Sequence, residues 1–320
     1  MNNILFITSN RLGDAVLSTG LIRHMVSTYP DAKITIACGP LPASIFAGVP
    51  NLQDLILIRK RSMNRHWIDL WKTVGLRRWD MVVDLRDSAV SRLLMAGKRH
   101  IYSRGIDKQK HKVEQCADVM KLTDVPAPHL WFTPEQQAFA DAIVPDNKTV
   151  LAVGPTANWI GKTWPVERFE AVVKALTAKG GALEGAHVAV FAAPGEEVIA
   201  HELLRTVPKT RAIDMIAKAS PGEAAAVLSR CDFYIGNDSG LMHCAAAAGV
   251  PTLGVFGPSY PHLYRPCGAH ADYIATPETF DELTDFDGYD PKTLTHSLMD
   301  SLKTDDVLKK AEAMITRSTC

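Results

Sequence analysis

Short β-branched runs alternate along the chain with longer stretches in which apolar residues recur every three to four positions. In the first half, Ile4–Thr8, Lys33–Ala37, Asp54–Ile58 and Met81–Asp84 predict strands, and Gly13–Tyr29, Ala43–Ala47, Trp67–Leu76 and Ser88–Met95 predict helices. Such alternation is the mark of β-α-β units, whose strands pair in parallel. The pattern weakens after residue 95. Residues 98–112, rich in Lys, Arg and His, read as a solvated cationic loop. Pro126, Pro128, Pro134 and Pro145 punctuate a stretch that reads as an interdomain boundary.

Alternation restarts with strands at Thr149–Val153, His187–Phe191, Asp232–Ile235 and Thr252–Phe256, and helices near Val166–Ala178, Glu196–Thr206, Gly222–Ser229 and Leu241–Ala248. After Pro277 the chain is acidic and loop-like, then closes with a helix near Thr304–Ile315. The expectation is an α/β protein of two Rossmann-like parallel-sheet domains, residues 1–146 and 147–320, with the last helix a candidate to pack back on the N-terminal domain. Two such domains facing across a cleft bind ligands at the carboxyl ends of their sheets.

Composition adds a charge asymmetry between the two halves. The 320 residues, 47% hydrophobic, suffice for two cores, and Lys+Arg and Asp+Glu number 35 each. Zero net charge argues against a nucleic-acid binder. The halves differ, however: residues 1–145 carry 19 basic against 13 acidic side chains, and the remainder 16 against 22. The first half therefore suits anionic ligands. No apolar run reaches the ~20 residues of a membrane span, and the opening Met1-Asn2-Asn3 lacks the basic n-region of a signal peptide. Cys38, Cys116, Cys231, Cys244, Cys267 and Cys320 form no metal or disulfide spacing and read as reduced thiols of a cytoplasmic protein.

Three loops carry candidate chemistry. Ile4–Thr8 runs into Ser9-Asn10-Arg11-Leu12-Gly13-Asp14, where Gly13 suits a tight turn and Asp14 is either a helix cap or a general base. Phe233-Tyr234-Ile235 runs into Gly236-Asn237-Asp238-Ser239-Gly240 and a small-residue helix, with Asn237 or Asp238 a candidate N-cap. The exposed N–H groups of that first turn can bind a diphosphate. Gly154 to Thr163 ends in Gly-Lys-Thr but is no phosphate-binding P-loop, because six residues rather than four separate Gly154 from Gly161. Thr156 and Lys162 there offer a hydroxyl and a cation. Lys162 reads equally as a solvated surface lysine, and His243 equally as a buried, hydrogen-bonded histidine. Dinucleotide glycine motifs and a nucleophile elbow are both missing, and the acidic pairs Asp84/Asp87 and Asp305/Asp306 read as surface groups.

Taken together, Asn10–Thr19, Lys162–Phe169, Gly236–Ala247 with Gly249-Val250-Pro251, and Phe256-Gly257-Pro258 resemble the bacterial ADP-heptose:lipopolysaccharide heptosyltransferases, glycosyltransferase family 9. The resemblance runs from residue 3 to about residue 267. It implies a GT-B fold and an inverting, metal-independent transfer of heptose from ADP-heptose to an anionic lipid A–Kdo type glycolipid. By the same resemblance Asp14 is the catalytic base. Asp238, Ser239 and Gly240 then hold the donor diphosphate, Thr156 and Lys162 neutralise the leaving group, and Glu196 is the ribose carboxylate with Glu197 its close rival; Leu241 and His243, on the helix that follows, are further donor-side candidates. Arg11 and Gly13 beside Asp14, and Arg59 and Arg61 from the cationic first half, are candidates for the acceptor side, while Arg59-Lys60-Arg61 reads equally as a solvated strand end. No cofactor or metal is implied, and contact with the inner membrane follows from the acceptor and the cationic first half. The rival readings are a different nucleotide-sugar or glycan acceptor, and a catalytically silent sugar-nucleotide-binding protein on the same scaffold.

Overall fold

The computed structural model describes residues 1–318, so Cys320 lies outside the described residues. The chain forms two compact units, Met1–Glu135 and Gln136 onward, a division inside the proline-punctuated stretch and about ten residues before the expected boundary at 146/147. The reason is a helix at Pro134–Ile143, whose Asp141, with Asp146 just beyond it, pairs with Arg230 of the second unit.

In the first unit the strands are β1 (Asn3–Ile7), β2 (Lys33–Cys38), β3 (Leu52–Leu57), β4 (Arg78–Asp84) and β5 (Met95–Ile101). They pair in parallel in the order β3-β2-β1-β4-β5. Helices α1 (Leu12–Leu17), α2 (Thr19–Thr28), α3 (Arg65–Val74), α4 (Ala89–Leu93) and α5 (Lys112–Met120) cover them. Central strands β1 and β2 are buried on both faces, as their unbroken apolar runs require.

Two expectations change here. The helix expected over residues 13–29 breaks at Ser18, whose hydroxyl turns back to the Ala15 carbonyl at 2.7 Å while Thr19 does the same to Val16. Such back-bonding bends helices. The supposed cationic loop from residue 98 begins as strand β5, which pairs only with β4 and buries little. A charged edge strand protects a sheet from pairing with another chain, and its charges hid it in the sequence.

The second unit repeats the plan. Strands β6 (Val150–Gly154), β7 (His187–Ala192), β8 (Ala212–Ile216), β9 (Phe233–Asn237), β10 (Thr252–Phe256) and β11 (Ala271–Ala275) form one parallel sheet in the order β11-β10-β9-β6-β7-β8. Helices α6 (Pro134–Ile143), α7 (Val166–Thr177), α8 (Glu197–Thr206), α9 (Pro221–Leu228), α10 (Gly240–Ala247), α11 (Pro261–Tyr264), α12 (Phe280–Thr284) and α13 (Thr304–Ser318) accompany it. The terminal α13 lays Val307, Ala311, Met314 and Ile315 into this unit's own core with Trp164 and Phe169. Each sheet thus has the Rossmann order, with a reversal between β1 and β4 in one unit and between β6 and β9 in the other. Among the described residues no helix is long and apolar enough to cross a membrane.

Candidate functional site

Loops leaving the two strands at a reversal diverge, opening a crevice at the sheet's carboxyl edge. In the second unit those loops follow β6 and β9. Asn237, fully buried, accepts the Trp164 N–H on Oδ1 at 2.9 Å and so ties the β6 loop to β9. The carboxylate of Asp238 accepts from Lys162 Nζ at 3.2 Å and from Ser259 Oγ at 2.7 Å, joining three loops in one polar cluster. Lys162 is therefore no solvated lysine: its side chain is only 18% exposed. The N-cap of α10 is Ser239, whose Oγ accepts the Met242 N–H at 3.5 Å, rather than Asn237 or Asp238. Asp238 is engaged by Lys162 and Ser259 instead. Gly240 and Leu241 begin the helix half-buried, and His243 is buried one turn on.

The Thr156 hydroxyl donates to Glu196 Oε2 at 2.6 Å, and the same oxygen accepts the Ala193 N–H at 3.3 Å. Glu197 instead folds back on the Gly195 N–H at 2.9 Å, which holds its carboxyl below the usual range. Of the two acids, Glu196 is the one joined to the β6 loop. Sequence reasoning missed Tyr234. Its fully buried hydroxyl lies over Gly154 and Gly236, the last residues of β6 and β9 to face each other, so that a Cβ at either glycine would meet the phenol oxygen.

In the first unit the reversal brings the Ser9–Arg11 loop beside the turn after β4. A cavity of about 510 Å³ opens there. Asp84, expected at the surface, is fully buried and accepts the Arg86 N–H at 2.7 Å, the Ser88 N–H at 2.8 Å and the Ser88 hydroxyl at 2.6 Å. Three donors stabilise a carboxylate that has left water. The turn they shape presents Arg86, whose Nη1 donates to Asn10 Oδ1 at 3.0 Å and whose guanidinium lies 5.7 Å from the Trp67 ring centre.

Asp14 lines this cavity, half-buried, and among the described residues its carboxylate accepts only a long bond from Ser9 Oγ at 3.4 Å. It does not cap α1. The N-cap is Arg11, which has no side-chain cap bond. Gly13, expected in a tight turn, is the second residue of α1 and makes no turn of its own. Arg11 lines the cavity, whereas Arg59 and Arg61 do not; Lys60 between them does, because successive residues of an extended segment point to opposite sides. Arg61 instead pairs with Asp69 at 2.7 Å on the surface. Lys112 and Tyr102 complete the wall, Nζ 5.1 Å from the ring centre. Among the lining residues Arg11, Lys60, Arg86 and Lys112 face a single carboxylate, Asp14, an arrangement suited to an anionic ligand. Arg86 and Trp67 were legible only through the rule that ligands gather at sheet reversals. Among the described residues no group of three or more His, Cys, Asp or Glu is placed to hold a metal ion.

The profile of glycosyltransferase family 9 (heptosyltransferase) matches residues 67–287. The chain belongs to this family and is a glycosyltransferase of GT-B fold. It is 22% identical over 312 residues to lipooligosaccharide heptosyltransferase 2 of Haemophilus influenzae, covering 85% of this chain and 88% of that one. Among solved structures it is similar to a family 9 glycosyl transferase from Veillonella parvula, with a TM-score of 0.79 at 21% identity over 99% of this chain and 97% of the other. The ADP-heptose lps heptosyltransferase II of E. coli gives a TM-score of 0.74 at 18% identity, with both chains covered in full.

Proposed function

We propose that this chain transfers a heptose from ADP-heptose to an anionic lipopolysaccharide-core acceptor, inverting the anomeric centre and using no metal. The observation that carries the reading is the cluster at the β6/β9 reversal, where Lys162 stands beside the first turn of α10, anchored by Asp238. A diphosphate leaving group gathers negative charge as the glycosidic bond breaks. The N–H groups of Gly240 and Leu241 and the Lys162 ammonium meet that charge, and each good donor contributes on the order of 3 kcal/mol in a preorganised site. Asp238, itself anionic, works through Lys162 and Ser259, and Ser239 by holding the turn. Glu196 accepts from the ribose, with Thr156 supplying a hydroxyl beside it, and His243 packs under the turn.

On the acceptor side, Asp14 takes the proton of the attacking hydroxyl. Its weak bond to Ser9 leaves a carboxylate lone pair free for that hydroxyl. The four cations lining the same cavity recognise acidic groups of the acceptor, as the excess of basic side chains in the first half of the chain favours. An acceptor anchored in lipid brings the enzyme to a membrane surface, on its cytoplasmic side.

The test is transfer itself. The purified chain is given ADP-heptose and a heptose-free lipopolysaccharide core, with and without EDTA, and the product's anomeric configuration is read by NMR. Inverted product formed at equal rate with the chelator supports the reading. Transfer from UDP- or GDP-sugars alone, a retained anomer, or a strict metal requirement each overturns its corresponding part.

A further inference from the structure

Thirteen large apolar side chains stand exposed among the described residues, and seven of them fall between Leu57 and Met95. Scattered apolar residues are ordinary on a surface, but a concentration of this kind marks an interaction site. Its geometry is set by the packing beneath. Leu70 and Val74 of α3 and Val90 and Leu94 at α4 enter the same core against β1 and β4, so the two helices cover one face of the sheet and their outer faces share one side. That outer side carries Ile68 (54% exposed) and Trp71 (43%) on α3, Leu76 (91%) just past it, and Leu93 (71%) on α4.

Charge says what covers it. Arg65 and Lys72 stand on the same helix at positions i and i+7, and neither makes an ion pair among the described residues. The helix's one acid, Asp69, is taken by Arg61. An amphipathic helix with an exposed tryptophan, aliphatic tips and unpaired cations has the make-up of a segment lying at a lipid interface. Two copies of this chain meeting through the face would set like charges together.

We propose that the outer face of α3 and α4 docks on an anionic bilayer surface, with Ile68, Trp71 and Leu76 entering the headgroup layer and Arg65 and Lys72 meeting lipid phosphates. Its purpose rests on the acceptor reading above, since α3 also turns His66 and Trp67 into the Asp14 cavity and so sets the acceptor site beside the docked face.

The test is co-sedimentation of the full chain with vesicles of phosphatidylglycerol and phosphatidylethanolamine, against vesicles of phosphatidylcholine alone. The chain should pellet with the first, not the second, and less so as salt rises. Lys72→Glu should lower partitioning roughly tenfold or more, and Leu76→Glu, at a site too exposed to disturb the core, should lower it likewise. Both variants should keep wild-type melting and ADP affinity. Absence of anionic-vesicle binding, or binding indifferent to both substitutions, overturns the proposal. So does concentration-dependent dimerisation abolished by Leu76→Glu, which would give the face to a second copy. Transfer to a delipidated core acceptor separates the two readings: its absence in a chain that still binds vesicles sinks the enzymatic reading and leaves the docking face standing.

Discussion

Lys162 Nζ lies 3.2 Å from Asp238 Oδ2, with the two side chains only 18% and 12% exposed. Desolvating both charges offsets most of their attraction, so if the pair serves the donor diphosphate as proposed, its loss should show in binding more than in stability. Lys162→Met should therefore weaken ADP about 10- to 100-fold, the loss of a bond to a charged group, as isothermal calorimetry would show. An unchanged affinity would place the diphosphate elsewhere.

The contact between Thr156 and Glu196 defines a second prediction. If the Glu196 carboxylate accepts from the ribose, wild-type protein should prefer ADP over 2′,3′-dideoxy-ADP by roughly tenfold, and Glu196→Ala should bring that ratio near one. Competition binding measures both. A ratio unmoved by the substitution removes Glu196 from the ribose site.

Tyr234 occupies the space a side chain at Gly154 would take, and at Gly236 the Gly154 carbonyl crowds that space as well. Gly154→Ala should lower the thermal midpoint and ADP affinity together, since something in the tightly packed turn must shift. Tyr234→Phe removes the offending oxygen and should restore most of both losses in the double variant. Additive losses would show that the phenol is not the obstacle.

Asp80 accepts the N–H groups of Asn2 and Asn3, at 2.6 and 3.1 Å, which holds its carboxyl below the ordinary value. A group whose folded pKa is lowered stabilises above its unfolded pKa and loses that contribution as pH falls through the folded value. Asp80→Asn should speed amide exchange at the start of β1 near neutral pH. The difference between variant and wild type should vanish in acid below the folded pKa. A difference independent of pH would assign the effect to packing.

Burial decides which elements the amino-acid sequence reveals. The central strands showed as unbroken apolar runs, and all eight expected strands formed within a few residues. The three unforeseen strands, β5, β8 and β11, are all sheet edges, where one side meets solvent and the apolar run dissolves into mixed sequence. The candidate site divides in the same way. Asp14, Lys162 and the 236–240 turn are contiguous with strand ends and carry local signals. Arg86, Trp67, Tyr102 and Lys112 come from four separate elements and meet only through the sheet reversal, which no local spacing records. Asp84 reads as one more acid until its three donors are seen.

If Asp14 removes the acceptor proton as proposed, its replacement should show in single-turnover transfer by Asp14→Asn at saturating donor and acceptor. The rate should fall by about 10² to 10⁴, with ADP affinity within twofold of wild type. Transfer at the wild-type rate would contradict that role.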